Sequence, residues 1–74
     1  MSEADKMFEE LGYIYITCED GFFYHNPMSD SVIHFDIIKK RISCYSYDTG
    51  LANGIELDEL QAINAKVKEL GWND

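Results

Sequence analysis

The sequence predicts a small α+β domain: a helix, four antiparallel strands in a meander, and a closing helix, with both helices on one face of the sheet. Three observations carry this. Apolar residues recur at three- and four-residue steps only near the two ends, at Ala4, Met7, Phe8 and Leu11 and again at Leu57, Leu60, Ile63, Val67 and Leu70. Between them, short runs rich in Ile, Tyr, Phe and Val alternate with period two. Turn residues, among them Asp20-Gly21, Pro27 and Asn53-Gly54, separate those runs. At 74 residues, 46% hydrophobic and 14% aromatic, the chain is one globular domain, 1–74.

The first helix is expected over residues 3–11. Ser2 is placed to cap it, because a hydroxyl there accepts an orphan amide of the first turn, and Asp5 occupies the capping-box position. Gly12 supplies the left-handed residue that ends it. Strands follow at Tyr13–Cys18 and Phe22–Asn26, joined by a two-residue turn at Asp20-Gly21. Pro27 to Ser31 is a loop, since proline cannot donate to a ladder. Val32–Ile38 and Arg41–Tyr47 form a second hairpin around Lys39-Lys40, and Gly54–Leu57 is expected to add a short edge strand. The last helix begins near Leu57, with Asp58 and Gln61 as a variant capping box, and stops at Gly71 with Trp72 folding back.

These turns imply pairings. Cys18 would face Phe23 and Ile16 would face His25, while Phe35 would face Cys44 and Ile37 would face Ile42. One sheet face then collects Ile14, Ile16, Cys18, Phe23, Ile33, Phe35, Ile37, Ile42 and Cys44, and the helices are expected to cover it. The other face collects Tyr13, Tyr15, Phe22, Tyr24, His34, Tyr45 and Tyr47. Tyrosine offers large apolar area, few rotors and one hydroxyl, so this second set is the expected protein-contact surface, with a homodimer as one outcome.

Charge narrows the function classes. Fourteen acidic residues against six Lys and Arg give −8 at pH 7. Glu3, Asp5, Glu9, Glu10, Glu19, Asp20, Asp30 and Asp36 face only Lys6 before the single basic cluster Lys39-Lys40-Arg41. Direct nucleic-acid binding needs many basic contacts and is not expected. No apolar run approaches the roughly 20 residues of a membrane span, and no basic-then-apolar leader opens the chain. Two cysteines are too few for a secreted disulfide framework, so both are expected as reduced thiols in a cytoplasm.

Neither catalytic nor cofactor chemistry is expected. Cys18, His25, His34 and Cys44 are zinc-type residues, but they are widely spaced on four strands, with His34 expected on the face opposite Cys18. No metal site is therefore assigned. The glycines sit singly at turns and helix ends, so no phosphate loop is present. A nucleophilic dyad would need a cleft that an apolar sheet centre lacks.

The runs Met7-Phe8-Glu9-Glu10-Leu11-Gly12-Tyr13, Ile33-His34-Phe35-Asp36, Ile55 through Ile63 and Lys68 through Trp72 resemble a group of short uncharacterised proteins encoded by phages and prophages of Gram-positive bacteria. That resemblance covers about half the chain and lends no catalytic residue. It implies an accessory protein of a bacterial host cytoplasm, acting by binding a protein partner or itself. Glu56 departs from the group's pattern, in which a Thr often caps the last helix. The competing expectation is an acidic nucleic-acid mimic, in which Glu3, Glu9, Glu10, Glu19 and Asp20 stand in for phosphates in a basic groove of a host defence or DNA-handling protein.

Overall fold

A computed structural model describes residues 2–72 of the chain. It contains α1 (Glu3–Glu10), β1 (Ile14–Cys18), β2 (Gly21–Asn26), β3 (Ser31–Asp36), β4 (Arg41–Ser46) and α2 (Leu57–Glu69). The strands form one antiparallel sheet in the order β1-β2-β3-β4, which is the predicted α+β meander between two helices.

Both helices end by the same device. Gly12 and Gly71 take positive φ, 95° and 73°. The Tyr13 N–H then donates to the Phe8 carbonyl at 3.0 Å, and the Trp72 N–H to the Val67 carbonyl at 3.2 Å. These are Schellman closures that satisfy carbonyls the helix itself leaves open. At the other end of α1, Ser2 Oγ accepts the Asp5 N–H at 3.1 Å. The start of α2 departs from expectation. Its N-cap is Glu56, and Glu59 Oε1, not Gln61, accepts the Glu56 N–H at 2.8 Å. The helix is also rotated: Leu57 and Leu60 are exposed, while Ala62, Ile63 and Lys66 point inward.

β2, β3 and β4 share a ten-residue beat, starting at Gly21, Ser31 and Arg41. Each ends in a polar residue whose side chain closes the following turn. Asn26 Oδ1 accepts the Met28 N–H at 3.0 Å, and Asp36 Oδ1 accepts those of Ile38 and Lys39 at 3.0 and 2.9 Å. Ser46 Oγ accepts the Thr49 N–H at 3.3 Å. The last residue of each turn, Asp30, Lys40 or Gly50, takes positive φ of 60°, 54° or 72°. Such side-chain-closed turns suit Asn, Asp and Ser.

Four-residue turns change the register. In the second hairpin Asp36 faces Arg41 and Phe35 faces Ile42, so Ile37 and Ile38 belong to the turn rather than to β3. The first hairpin is shifted by two residues as well, with Cys18 facing Gly21 and Ile16 facing Phe23. Its turn is Glu19-Asp20, and Gly21 opens β2. There the carbonyl oxygen of Phe35 lies 2.1 Å from where a Cβ would stand, so only glycine fits. The expected strand at Gly54–Leu57 is absent; a single bridge joins Tyr45 and Ala52 instead.

A register slip of two residues preserves side-chain parity within a hairpin, but the link between hairpins reverses the expected faces. β2 and β3 pair Phe22 with Phe35 and Tyr24 with Ile33. The helix-covered face therefore carries Phe22, Tyr24, Ile33, Phe35, Ile42 and Cys44, packed with Phe8, Tyr13, Ala62 and Ile63. Phe8 stacks on Tyr24 at 3.8 Å between ring centroids, and Phe22 on Phe35 at 5.1 Å. Ile14, Ile16, Cys18 and Phe23 are on the opposite, open face, contrary to expectation. Aromatic stacking on this scale contributes beyond area burial.

Candidate functional site

The predicted contact set does not form one surface. Tyr13, Phe22 and Tyr24 are buried beneath the helices. Tyr15 lies on the same side, at the rim of the core, with its ring 5.6 Å from that of Tyr24, and it stays half exposed. His34, Tyr45 and Tyr47 are on the open face. The correction has a physical reason: with Phe22-Phe23-Tyr24 in a row, either parity buries an aromatic residue, and the larger aromatic set is the one inside.

Buried tyrosine hydroxyls need partners, and the helices provide them. Tyr13 donates to a Glu59 carboxylate oxygen, and Tyr24 donates to Asp5 Oδ1 at 2.5 Å. Burial and the adjacent carboxylates push both phenols well above their ordinary range. Lys66 Nζ reaches Asp5 at 3.2 Å and Glu69 at 3.5 Å, and it lies 5.2 Å from the centroid of the Phe22 ring. Glu69 in turn accepts the Ala4 N–H at 2.9 Å. Burial alone would raise the Asp5 carboxyl, but the Tyr24 hydroxyl and the Lys66 ammonium together hold it below its usual value. This network ties α1, α2 and the sheet together and is structural.

The open face holds a different cluster. Cys18 at the end of β1, Asp20 in the turn and His34 in mid-β3 converge there. Cys18 Sγ lies 3.2 Å from Asp20 Oδ1, His34 Nε2 lies 3.0 Å from the same oxygen, and Sγ and Nε2 are 3.7 Å apart. In register, Cys18 faces Gly21, which has no side chain to come between them. Slight burial and the Asp20 carboxylate push the Cys18 thiol up, whereas bonds from Cys18 and His34 hold the Asp20 carboxyl down. All three are metal-ligating residue types, and their ligand atoms lie within 4.8 Å of one another.

From the sequence Cys18 and His34 fall on opposite faces, and Asp20 is a turn residue and a candidate phosphate-mimicking carboxylate, not a neighbour of either. The signal that would have joined them is the parity of the β2–β3 turn. Cys44, by contrast, packs against the core as expected. Both cysteines are free thiols. Cys18 is exposed on the open face, not buried under the helices, so the two cannot form a disulfide through the sheet.

The two edges of the sheet differ. Beside β4 the chain turns back, and the Ser46 N–H donates to the Leu51 carbonyl at 2.9 Å, the Asn53 N–H to the Cys44 carbonyl at 3.1 Å. Among the described residues β1 pairs only with β2, and all five of its residues, Ile-Tyr-Ile-Thr-Cys, are exposed. Ile14 and Ile16 project from one side and Tyr15 from the other.

Comparison of the chain with protein-family models, with curated proteins and with solved structures finds no match. Among the described residues, no helix is long and apolar enough to cross a membrane.

Proposed function

We propose that this is a non-catalytic protein-binding module that pairs with a second copy of itself along β1, extending the sheet across a two-fold axis. The observation that carries the reading is the bare β1 edge: an uncharged strand with half-exposed Ile14, Tyr15 and Ile16 and, among the described residues, no strand paired on its outer side. Monomers usually blunt such edges with charge, proline or a covering segment, because unpaired N–H and C=O groups template further pairing. An antiparallel copy of β1 would satisfy those groups and cover the isoleucines on one face and Tyr15 on the other. The setting we propose is that of the phage and prophage proteins it resembles, the cytoplasm of a bacterial host.

Nucleic-acid mimicry is less well supported. The carboxylates it needs are divided, Glu3, Glu9 and Glu10 at α1 and Glu19 and Asp20 at the hairpin tip, with uncharged β1 between them. Asp20 is also engaged by Cys18 and His34.

Sedimentation velocity over a concentration series, at low and high salt, tests the reading. Two chains of net charge −8 repel at long range, so screening should strengthen the dimer. Ile16→Glu should be monomeric throughout while keeping the wild-type far-ultraviolet spectrum. A wild-type chain that stays monomeric at the highest concentration in high salt refutes it. Self-association that weakens with salt would also refute it, because charged contacts between copies, not the uncharged β1 edge, would then hold the dimer.

A further inference from the structure

We propose that Cys18, Asp20 and His34 form a binding site for one borderline-soft divalent cation, of which zinc is the type. The geometry carries this. A tetrahedral cation with its ligands at about 2.0–2.3 Å separates those ligands from one another by about 3.3–3.6 Å. Here the three separations are 3.2 Å (Sγ to Oδ1), 3.0 Å (Nε2 to Oδ1) and 3.7 Å (Sγ to Nε2). Each is within about 0.3 Å of the matching edge of one face of such a tetrahedron, so small side-chain shifts would bring the cation just off the plane of the three atoms with its fourth position open to water.

The donor set selects the metal. Thiolate and imidazole favour zinc and its first-row neighbours, whereas magnesium and calcium require oxygen ligands throughout. The scaffold is also suited to hold the three in place. Cys18 and His34 are strand residues of one sheet, and the Asp20 carbonyl accepts the Ile37 N–H at 2.8 Å, which anchors the turn to the chain just beyond β3. Without the cation, Asp20 holds the other two by hydrogen bonds. On binding, the Cys18 thiol gives its proton to solvent and the His34 ring shifts its hydrogen from Nε2 to Nδ1 through solvent, so that the thiolate and the neutral imidazole Nε2 take the metal. Among the described residues no other cluster of metal-ligating groups forms: the groove beside α1 and β1, lined by Asp5, Glu9 and three tyrosines, has its Asp5 already paired with Lys66.

The test uses the full chain, freshly reduced, titrated with cobalt(II) and then with zinc(II). Cobalt should bind at one equivalent and give a thiolate-to-metal charge-transfer band in the near ultraviolet with tetrahedral visible absorption. Zinc should displace it and raise the melting temperature. Cys18→Ser should abolish the charge-transfer band, and Cys44→Ser should keep it. Asp20→Asn and His34→Gln should each weaken zinc binding by at least about 10-fold, judged against losses of about 10- to 100-fold when only an outer-shell partner is removed. Far-ultraviolet spectra of the metal-free variants establish that each is folded. The proposal is overturned if no charge-transfer band appears at stoichiometric cobalt. It is equally overturned if folded Cys18→Ser and His34→Gln bind zinc as the wild type does, because the metal then sits on surface carboxylates.

Discussion

The two edges of this sheet are made from strands of similar length and finished in opposite ways. At β4 the Ser46 turn brings Leu51 to Asn53 back along the strand, so part of its outer N–H and C=O row is used. At β1 none of the described residues returns. The strand enters from the Gly12 closure of α1 and leaves through the Glu19-Asp20 turn, and both of its neighbours in sequence are committed to β2 or α1. The lesson is that an edge is protected by what the chain does next, not by the composition of the strand. β4 carries Arg41 and two serines and is covered anyway; β1 has no charge at all and is left open.

The sharpest way to stress this comparison is through the parts that hold each edge in place. β1 is attached to a sheet whose covered face is fixed by Phe8, stacked on Tyr24 and 0% exposed. Phe8→Ala should cost about 4 kcal/mol in urea denaturation, which is much of what so small a domain has. Ile14→Ala, on the open face at the bare edge, should cost less than about 1 kcal/mol. Equal costs would mean that β1 is packed against something.

Next come the two glycines beside the edges. Gly21→Ala drives a methyl into the Phe35 carbonyl and should cost about 3 kcal/mol or more, because backbone must move. Gly50 opens the return beside β4; its φ is 72° but nothing lies within 4 Å of an added Cβ. Gly50→Ala should therefore cost only about 1 kcal/mol, the left-handed strain alone.

A smaller effect is expected in acid. Asp5 has its carboxyl held below its unfolded value by Tyr24 and Lys66. A depressed carboxyl adds stability above the unfolded pKa and loses it as pH falls through the folded one. Thermal melts should thus drop on going from pH 5 to below Asp5's lowered pKa, and Asp5→Asn should flatten that limb. An unchanged slope in the variant would remove Asp5 from the account. The smallest effect on folding is that of Ile16→Glu, within about 0.5 kcal/mol as a surface change, even though it should abolish pairing.

Much of the fold was legible because its signals are local. Ser2, Gly12 and Gly71 act through hydrogen bonds to residues three to five positions away, and the element order follows from period changes along the chain. The faces were not legible, because they depend on turn length. Asp30 and Lys40 take left-handed φ without being glycine, and the apolar pair Ile37-Ile38 reads as strand although Asp36 closes it into a turn. One wrong parity between hairpins then moved Tyr13, Phe22 and Tyr24 from the core to the surface. It also hid the approach of His34 to Cys18. The Lys66 network was invisible for a related reason: a lysine on the inward stripe of α2 is readable only once Asp5 and Glu69 are known to lie beside it.

The bare edge can be tested residue by residue. Amide hydrogen exchange of the full chain, read for β1 and β4 at low and high protein concentration, reports the outward-pointing N–H groups directly. The account predicts that protection of residues 14–18 rises with concentration while that of residues 41–46 stays constant. Protection in β1 that is independent of concentration, at concentrations where β4 is fully protected, would contradict it.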